Sequence, residues 1–152
     1  GNAGYEHYEI SNFCRPGMYS RHNTSYWKGI PYLGCGPSAH SFNTDTREWN
    51  ISSLEDYIHS IENNHRRFEN EYLDRTTRYN ECIMTSIRTK RGLSLNDLER
   101  EFGKELWQYC MNMARPHLDS GKLEIRDSHL CLTRKGIFVS DSIMSDLMFI
   151  ED

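Results

Sequence analysis

The chain has 152 residues, of which 37% are apolar, and a formal net charge of −4. That size suits one compact domain, or one small domain with a docked appendage. No run approaches the roughly 18–20 apolar residues of a membrane-spanning helix, and the acidic balance argues against a nucleic-acid binder. The five cysteines, Cys14, Cys35, Cys82, Cys110 and Cys131, are odd in number and never spaced as CxxC or CxxxCxxC. A disulfide framework, a zinc ribbon or an iron–sulfur cluster held by this chain alone is therefore not expected. Reduced thiols in a cytoplasmic protein are the expectation, and no basic, apolar and small leader opens the chain.

In chain order, Tyr5 to Phe13 carries Tyr5, Tyr8, Ile10 and Phe13 and reads as one short strand, closed by the turn residues Arg15-Pro16-Gly17. Residues 18–50 read as mostly irregular, with a short strand near Glu48-Trp49-Asn50. Ser52 stands three residues before Glu55, the capping-box spacing. Leu54, Tyr57, Ile58 and Ile61 then recur as one helical apolar face. Asn63 to Asp74 reads as a charged connection, with a domain boundary near residue 70. The sequence thus divides into 1–70 and 71–152.

Beyond it, Asp74 is placed to cap a helix carrying Tyr79, Cys82, Ile83 and Ile87, which Gly92 ends. Ser94 or Asn96 starts a helix with Leu95, Leu98 and Phe102 that stops at Gly103. Trp107, Cys110, Met111, Ala114 and Leu118 form a third apolar face, in which Pro116 is expected to kink or restart the helix. Leu123-Glu124-Ile125 and Leu130-Cys131-Leu132 alternate as a hairpin around Asp127-Ser128. Ile137 to Ile150 reads as a closing amphipathic helix. Together these elements predict an α+β chain whose carboxy-terminal part is a mainly helical, winged-helix-like module with a small hairpin. The basic clusters His65-Arg66-Arg67 and Arg88-Thr89-Lys90-Arg91 sit beside acidic residues and read as solvated helix surface.

The stretch from His22 to Phe42 is the most unusual. It crowds His22, Tyr26, Trp27, Tyr32, Gly34, Gly36, His40 and Phe42 into a segment without a clear helical or strand period, and so reads as a shaped binding loop. No Gly-rich phosphate loop, HExxH or GxSxG motif accompanies it, and no catalytic residue stands out. Gly34-Cys35-Gly36 suits either a close ligand approach or an ordinary tight turn. A neutral His22 imidazole is a good iron or zinc ligand, and Tyr26 and Trp27 offer a flat wall for a planar ligand. A histidine bonded to a nearby carbonyl fits the same residues, and His40 poses the same choice. His7, His59, His65, His117 and His129 show no partner pattern and read as surface.

The runs GYEHYEISNFCRPG at 4–17, Ser20-Arg21-His22-Asn23 with Tyr26-Trp27, and YLGCGPSAHSF at 32–42 resemble one family. It is the oxygen-independent coproporphyrinogen-III-oxidase-like radical SAM proteins, in their haem-chaperone branch. The likeness continues through Arg78, Glu81, Arg88, Gly92, Leu93, Phe102, Gly103, Gly121-Lys122-Leu123, Leu132-Thr133, Gly136 and Ser140-Asp141.

The resemblance implies that residues 1–70 are the last strand or strands and loops of a radical SAM partial barrel with a linker helix. It implies that residues 71–152 are the domain that covers the barrel opening. The family's HNxxYW motif, implicated in haem binding, falls on His22, Asn23, Tyr26 and Trp27, with His22 as the axial ligand to haem iron. In the whole protein the 34–41 loop would line the S-adenosylmethionine site through Gly36, Ala39 and His40. The [4Fe–4S] cluster and S-adenosylmethionine belong to the parent and are not expected in this fragment.

The leading expectation is thus the carboxy-terminal part of a cytoplasmic haem chaperone that delivers haem to an acceptor protein. Peripheral membrane association of the parent and self-association of the fragment are further expectations. A true coproporphyrinogen III oxidase of porphyrin biosynthesis is the first alternative. A winged-helix nucleic-acid or protein interaction module is the second.

Overall fold

A computed structural model describes residues 3–150. The packing divides the chain into two compact units. One joins the amino-terminal residues through Trp27 with Arg75 onward; the other is Lys28–Asp74. The fold is mixed α and β.

The larger unit is built on an apolar core. In α3 (Arg75–Ile87), Tyr79, Ile83 and Ile87 repeat every four residues and are fully buried. They meet Leu98, Phe102, Leu106, Cys110 and Ala114 of α4 (Leu95–Asp119) and Ile143, Met144 and Leu147 of α6 (Ser140–Leu147). Each Leu, Ile, Phe or Met side chain so removed from water stabilises by about 1.5–3 kcal/mol. A three-stranded antiparallel sheet closes this core, in the order β6 (Leu93–Ser94), β8 (His129–Leu132), β7 (Leu123–Arg126). Asp127 and Ser128 both take positive φ, 49° and 60°, as a two-residue hairpin turn that matches strand twist requires.

α4 begins where Ser94 Oγ accepts from Asp97 N at 3.2 Å. It bends at Gly103, whose φ of 76° and ψ of 171° are non-helical and unstrained only for glycine. The helix continues through Pro116 to Asp119, and Gly103 is the residue inside it whose backbone is non-helical.

The closing segment also departs from a single helix over Ile137–Ile150. α5 (Arg134–Ile137), capped by Thr133 Oγ on Gly136 N, is followed by a break at the exposed Phe138 and then by α6. Gly136 is required there, because a Cβ would stand 2.0 Å from Lys122 O. Past α6, three side chains of the helical core hold the chain. Tyr79 Oη donates to Leu147 O at 3.0 Å, and Tyr109 Oη donates to Met148 O at 2.9 Å. Asn80 brackets Phe149, donating to its carbonyl and accepting from its N–H, each at 2.8 Å.

The amino-terminal segment is a hairpin, not the single strand expected over Tyr5 to Phe13. β1 (Glu6–Glu9) pairs antiparallel with β2 (Asn12–Cys14). The turn exists because Glu9 folds its carboxylate back to accept from Ser11 N at 3.0 Å and from the Asn12 amide.

The second unit is a meander, β3 (His40–Asn43), β4 (Thr46–Asn50) and β5 (Phe68–Tyr72), with α2 (Leu54–Glu62) between its last two strands. β5 lies in what reads as a charged connection. Every residue of Phe-Glu-Asn-Glu-Tyr is exposed, so no buried face imposes the apolar alternation that announces a strand. α2 is capped by Ser53, whose Oγ accepts from Asp56 N at 3.3 Å, not by Ser52. Its apolar stripe is not buried in this unit: Leu54, Ile58 and Ile61 are all exposed.

Candidate functional site

His22, Asn23, Tyr26 and Trp27 do not lie in an irregular loop. They sit on α1 (Arg21–Trp27). Ser20 starts this helix, its Oγ accepting from Asn23 N at 3.2 Å and its carbonyl accepting from Thr24 N at 3.0 Å. Thr24 and Ser25 donate their hydroxyls back to Ser20 O and Arg21 O, as short hydroxyl side chains do within a helix. Two turns are too few to display a periodic apolar pattern, which is why the sequence shows none.

On a helix, residues four apart share a face, so the HNxxYW spacing yields two pairs with different surroundings. His22 and Tyr26 face solvent together, their rings edge to face with centroids 4.8 Å apart and planes at 87°. Among the described residues the His22 imidazole has no hydrogen-bond partner. Asn23 and Trp27 are half-buried, and the Trp27 ring packs on Tyr8 of β1 with centroids 5.7 Å apart. Trp27 anchors the helix; His22 and Tyr26 present a nitrogen donor and an aromatic ring.

The second candidate set lies in the other unit. Gly34 has no room for a side chain, because a Cβ would fall 2.1 Å from His40 O. Gly36 takes φ of +110°, with open space where its Cβ would stand. The loop is fixed by Asn50, a buried residue that sequence reading passed over. Its amide donates to Gly36 O at 2.9 Å and to Gly34 O at 3.3 Å. Tyr57 Oη accepts from Gly36 N at 3.1 Å, and Ala39 N donates back to Gly36 O at 3.3 Å. The Gly36 peptide groups are thus engaged inside the loop, and the exposed Cys35, Ser38 and His40 face outward. His40 lies across the strand pair from Trp49, ring centroids 5.9 Å apart. An asparagine ending a polar strand carries no sequence signal of such a role.

Two expectations about charged residues change. Arg88 is not merely solvated surface: its Nε donates to Glu9 Oε1 at 2.9 Å, and Glu9 is only 3% exposed. Burial alone would raise the Glu9 pKa. The hydrogen bonds from Asn12, Ser11 and Arg88 outweigh it and hold the carboxyl below its ordinary value. His117 is not free surface either, since its Nε2 lies 2.9 Å from Asp146 Oδ2. Burial raises the Cys82 and Cys110 thiols to about 11, which makes them packing groups rather than nucleophiles. Among the described residues no group of three or more His, Cys, Asp or Glu side chains is arranged to hold a metal ion. None of the described helices is long and apolar enough to cross a membrane.

With this geometry in hand, the comparisons with known proteins are specific. Residues 73–139 match the HemN C-terminal domain. The heme chaperone HemW of Mycobacterium tuberculosis is 31% identical over 150 residues, covering 96% of this chain and 36% of that protein. A mouse mitochondrial protein, radical S-adenosyl methionine domain-containing protein 1, is 45% identical over 60 residues, covering 36% of this chain and 14% of that protein. Among solved structures, the coproporphyrinogen III oxidase HemN of Escherichia coli, described as a radical SAM enzyme, matches with a TM-score of 0.69. That match has 17% identity and covers 97% of this chain and 38% of that one; it speaks for the fold alone. The chain spans little more than a third of the M. tuberculosis relative and of the HemN structure. Fold and sequence together make the chain HemN/HemW-like, similar to the carboxy-terminal portion of those proteins.

Proposed function

We propose that this chain forms the carboxy-terminal portion of a haem chaperone in which His22 is the axial ligand to haem iron. The observation that carries the reading is the pairing on α1. His22 is exposed and without a hydrogen-bond partner among the described residues, with the Tyr26 ring 4.8 Å away. Haem iron accepts a neutral imidazole nitrogen as an axial ligand, and the macrocycle stacks on flat apolar rings. The donor set fits that chemistry. His22 offers the nitrogen and Tyr26 an exposed ring, while Trp27, packed on Tyr8, holds the helix in place. The relatives named as heme chaperones favour haem delivery to an acceptor protein over turnover of a porphyrin.

The loop bearing Gly36, Ala39 and His40 is proposed to border the S-adenosylmethionine site of the intact protein. Its rigidity, through Asn50 and Tyr57, supports a lining role. The described residues do not fit a [4Fe–4S] cluster. Cys35 is the one exposed thiol among them, and Cys14, Cys110 and Cys131 are buried. A cytoplasmic location is part of the proposal.

Titrating haem into the intact protein tests the reading. The wild type should shift the Soret band, and His22→Ala should weaken binding by at least about tenfold, the loss typical of removing even a ligand's outer support. Identical spectra and affinity would remove His22 as the ligand. Anaerobic turnover of coproporphyrinogen III by the reconstituted intact protein would establish the oxidase alternative instead.

A further inference from the structure

α1 has only seven residues, too short to hold its own conformation in water. Its position must come from whatever it rests on. One residue supports both of its ends. Tyr8, 8% exposed, packs edge to face against Trp27 at the end of α1, with centroids 5.7 Å apart. It packs in the same way against Tyr19, just before the capping Ser20, at 5.3 Å.

Tyr8 is itself fixed. Its carbonyl accepts from Lys90 N at 2.9 Å, and Ile10 N donates to Arg88 O at 3.0 Å, so β1 lies against the stretch that follows α3. The neighbouring Glu9 is buried and paired with Arg88, and Glu6 accepts from both Tyr19 and Lys90. A rigid line therefore runs from the apolar core through residues 88–90 to Tyr8, and from Tyr8 to the helix that carries His22.

We infer that Tyr8 is a positioning residue for the haem ligand, setting the orientation of His22 through Trp27 and Tyr19 without touching the haem. The inference rests on the haem reading of α1. A metal-binding histidine performs when its support is fixed, and loss of such outer support typically weakens metal binding by about tenfold to a hundredfold. The ring, not the hydroxyl, makes the two aromatic contacts, so Tyr8→Phe should behave as wild type. Tyr8→Leu keeps an apolar filling but loses both edge-to-face contacts. It should bind haem about tenfold more weakly and alter the low-spin ferric signature in electron paramagnetic resonance, because the imidazole meets the iron at a changed angle.

The test compares wild type, Tyr8→Phe, Tyr8→Leu and His22→Ala in the intact protein by haem titration and electron paramagnetic resonance, with thermal melting as the check on folding. Recovery of the wild-type signature in Tyr8→Phe but not in Tyr8→Leu supports the inference. A Tyr8→Leu protein that melts as wild type and keeps both its affinity and its signature overturns it, while His22→Ala still reports on the ligand. If Tyr8→Leu does not fold, Tyr19→Leu takes its place. It removes one of the two edge-to-face contacts of Tyr8 and leaves the Glu9–Arg88 pair intact, and an unchanged signature there overturns the inference equally. Absence of His22-dependent binding in the wild type overturns the haem reading and this inference together.

Discussion

Residues 75–150 and residues 28–74 are held together by different forces. The first region buries a continuous apolar cluster drawn from α3, α4, β7, β8 and α6, with Tyr79, Ile83, Ile87, Cys110, Leu130, Ile143 and Leu147 fully enclosed. In the second, the buried side chains among the described residues are Ser41, Asn50, Ser60 and Leu73, while Leu54, Ile58 and Ile61 of its one helix are exposed. A fold based on apolar burial is robust and distributed. A fold based on a few polar cross-links depends on individual hydrogen bonds and is shaped in detail by them. The first provides a platform; the second holds a loop in one conformation.

The contrast is broken most forcefully by cavity mutations. Ile83→Ala should cost about 2–5 kcal/mol in urea unfolding, the range for a fully buried aliphatic. Ile58→Ala, on the open face of α2, should stay within about 0.5 kcal/mol. Equal losses would mean that the two regions are not different in kind.

Asn50→Leu sharpens the polar side of the comparison. It strands the Gly34 carbonyl, at a cost of about 1–3 kcal/mol for a group left unpaired, and leaves Gly36 O with Ala39 N as its donor. Hydrogen exchange should speed at Gly36 and Ala39 and remain unchanged in α3. Uniform acceleration across both regions would contradict the local role.

A pH titration probes the link between β1 and the helical region. Because the Glu9 pKa is lowered in the folded chain, the unfolded chain binds more protons and stability rises with pH. This contribution is complete above the unfolded glutamate value, about 4.3, and is lost as pH falls through the lower folded value. Glu9→Gln should flatten that part of the stability profile. A profile that keeps its full acid slope in the variant would remove Glu9 as the source.

The smallest effect separates the two candidate caps of α2. Ser53→Ala should cost about 1 kcal/mol and Ser52→Ala close to nothing, measured by thermal melting; the reverse order would restore Ser52 as the cap.

Much of the helical region was legible from sequence for a physical reason. Tyr79, Ile83 and Ile87 repeat because their face is buried, Ser94 caps α4 and Gly103 bends it through local chemistry, and Asp127-Ser128 form a turn in place. The central unit and α1 were harder to read. β5 has no buried face, and α1 is shorter than the period needed to recognise it. Asn50 acts through two carbonyls fourteen and sixteen positions away, a relation that no local pattern carries. The candidate residues of α1 were legible as a motif. Their division into an outward pair, His22 and Tyr26, and a half-buried pair, Asn23 and Trp27, became visible only with the helix. The same holds for the support from Tyr8, which joins residues 8, 19 and 27 to the backbone at residue 90.

The central claim is that His22 supplies the nitrogen that binds haem iron, and chemical rescue tests it most directly. The ferric haem complex of the intact His22→Ala protein should lack the wild-type low-spin spectrum and regain it on adding free imidazole. A variant that shows the wild-type spectrum before imidazole is added would contradict the claim.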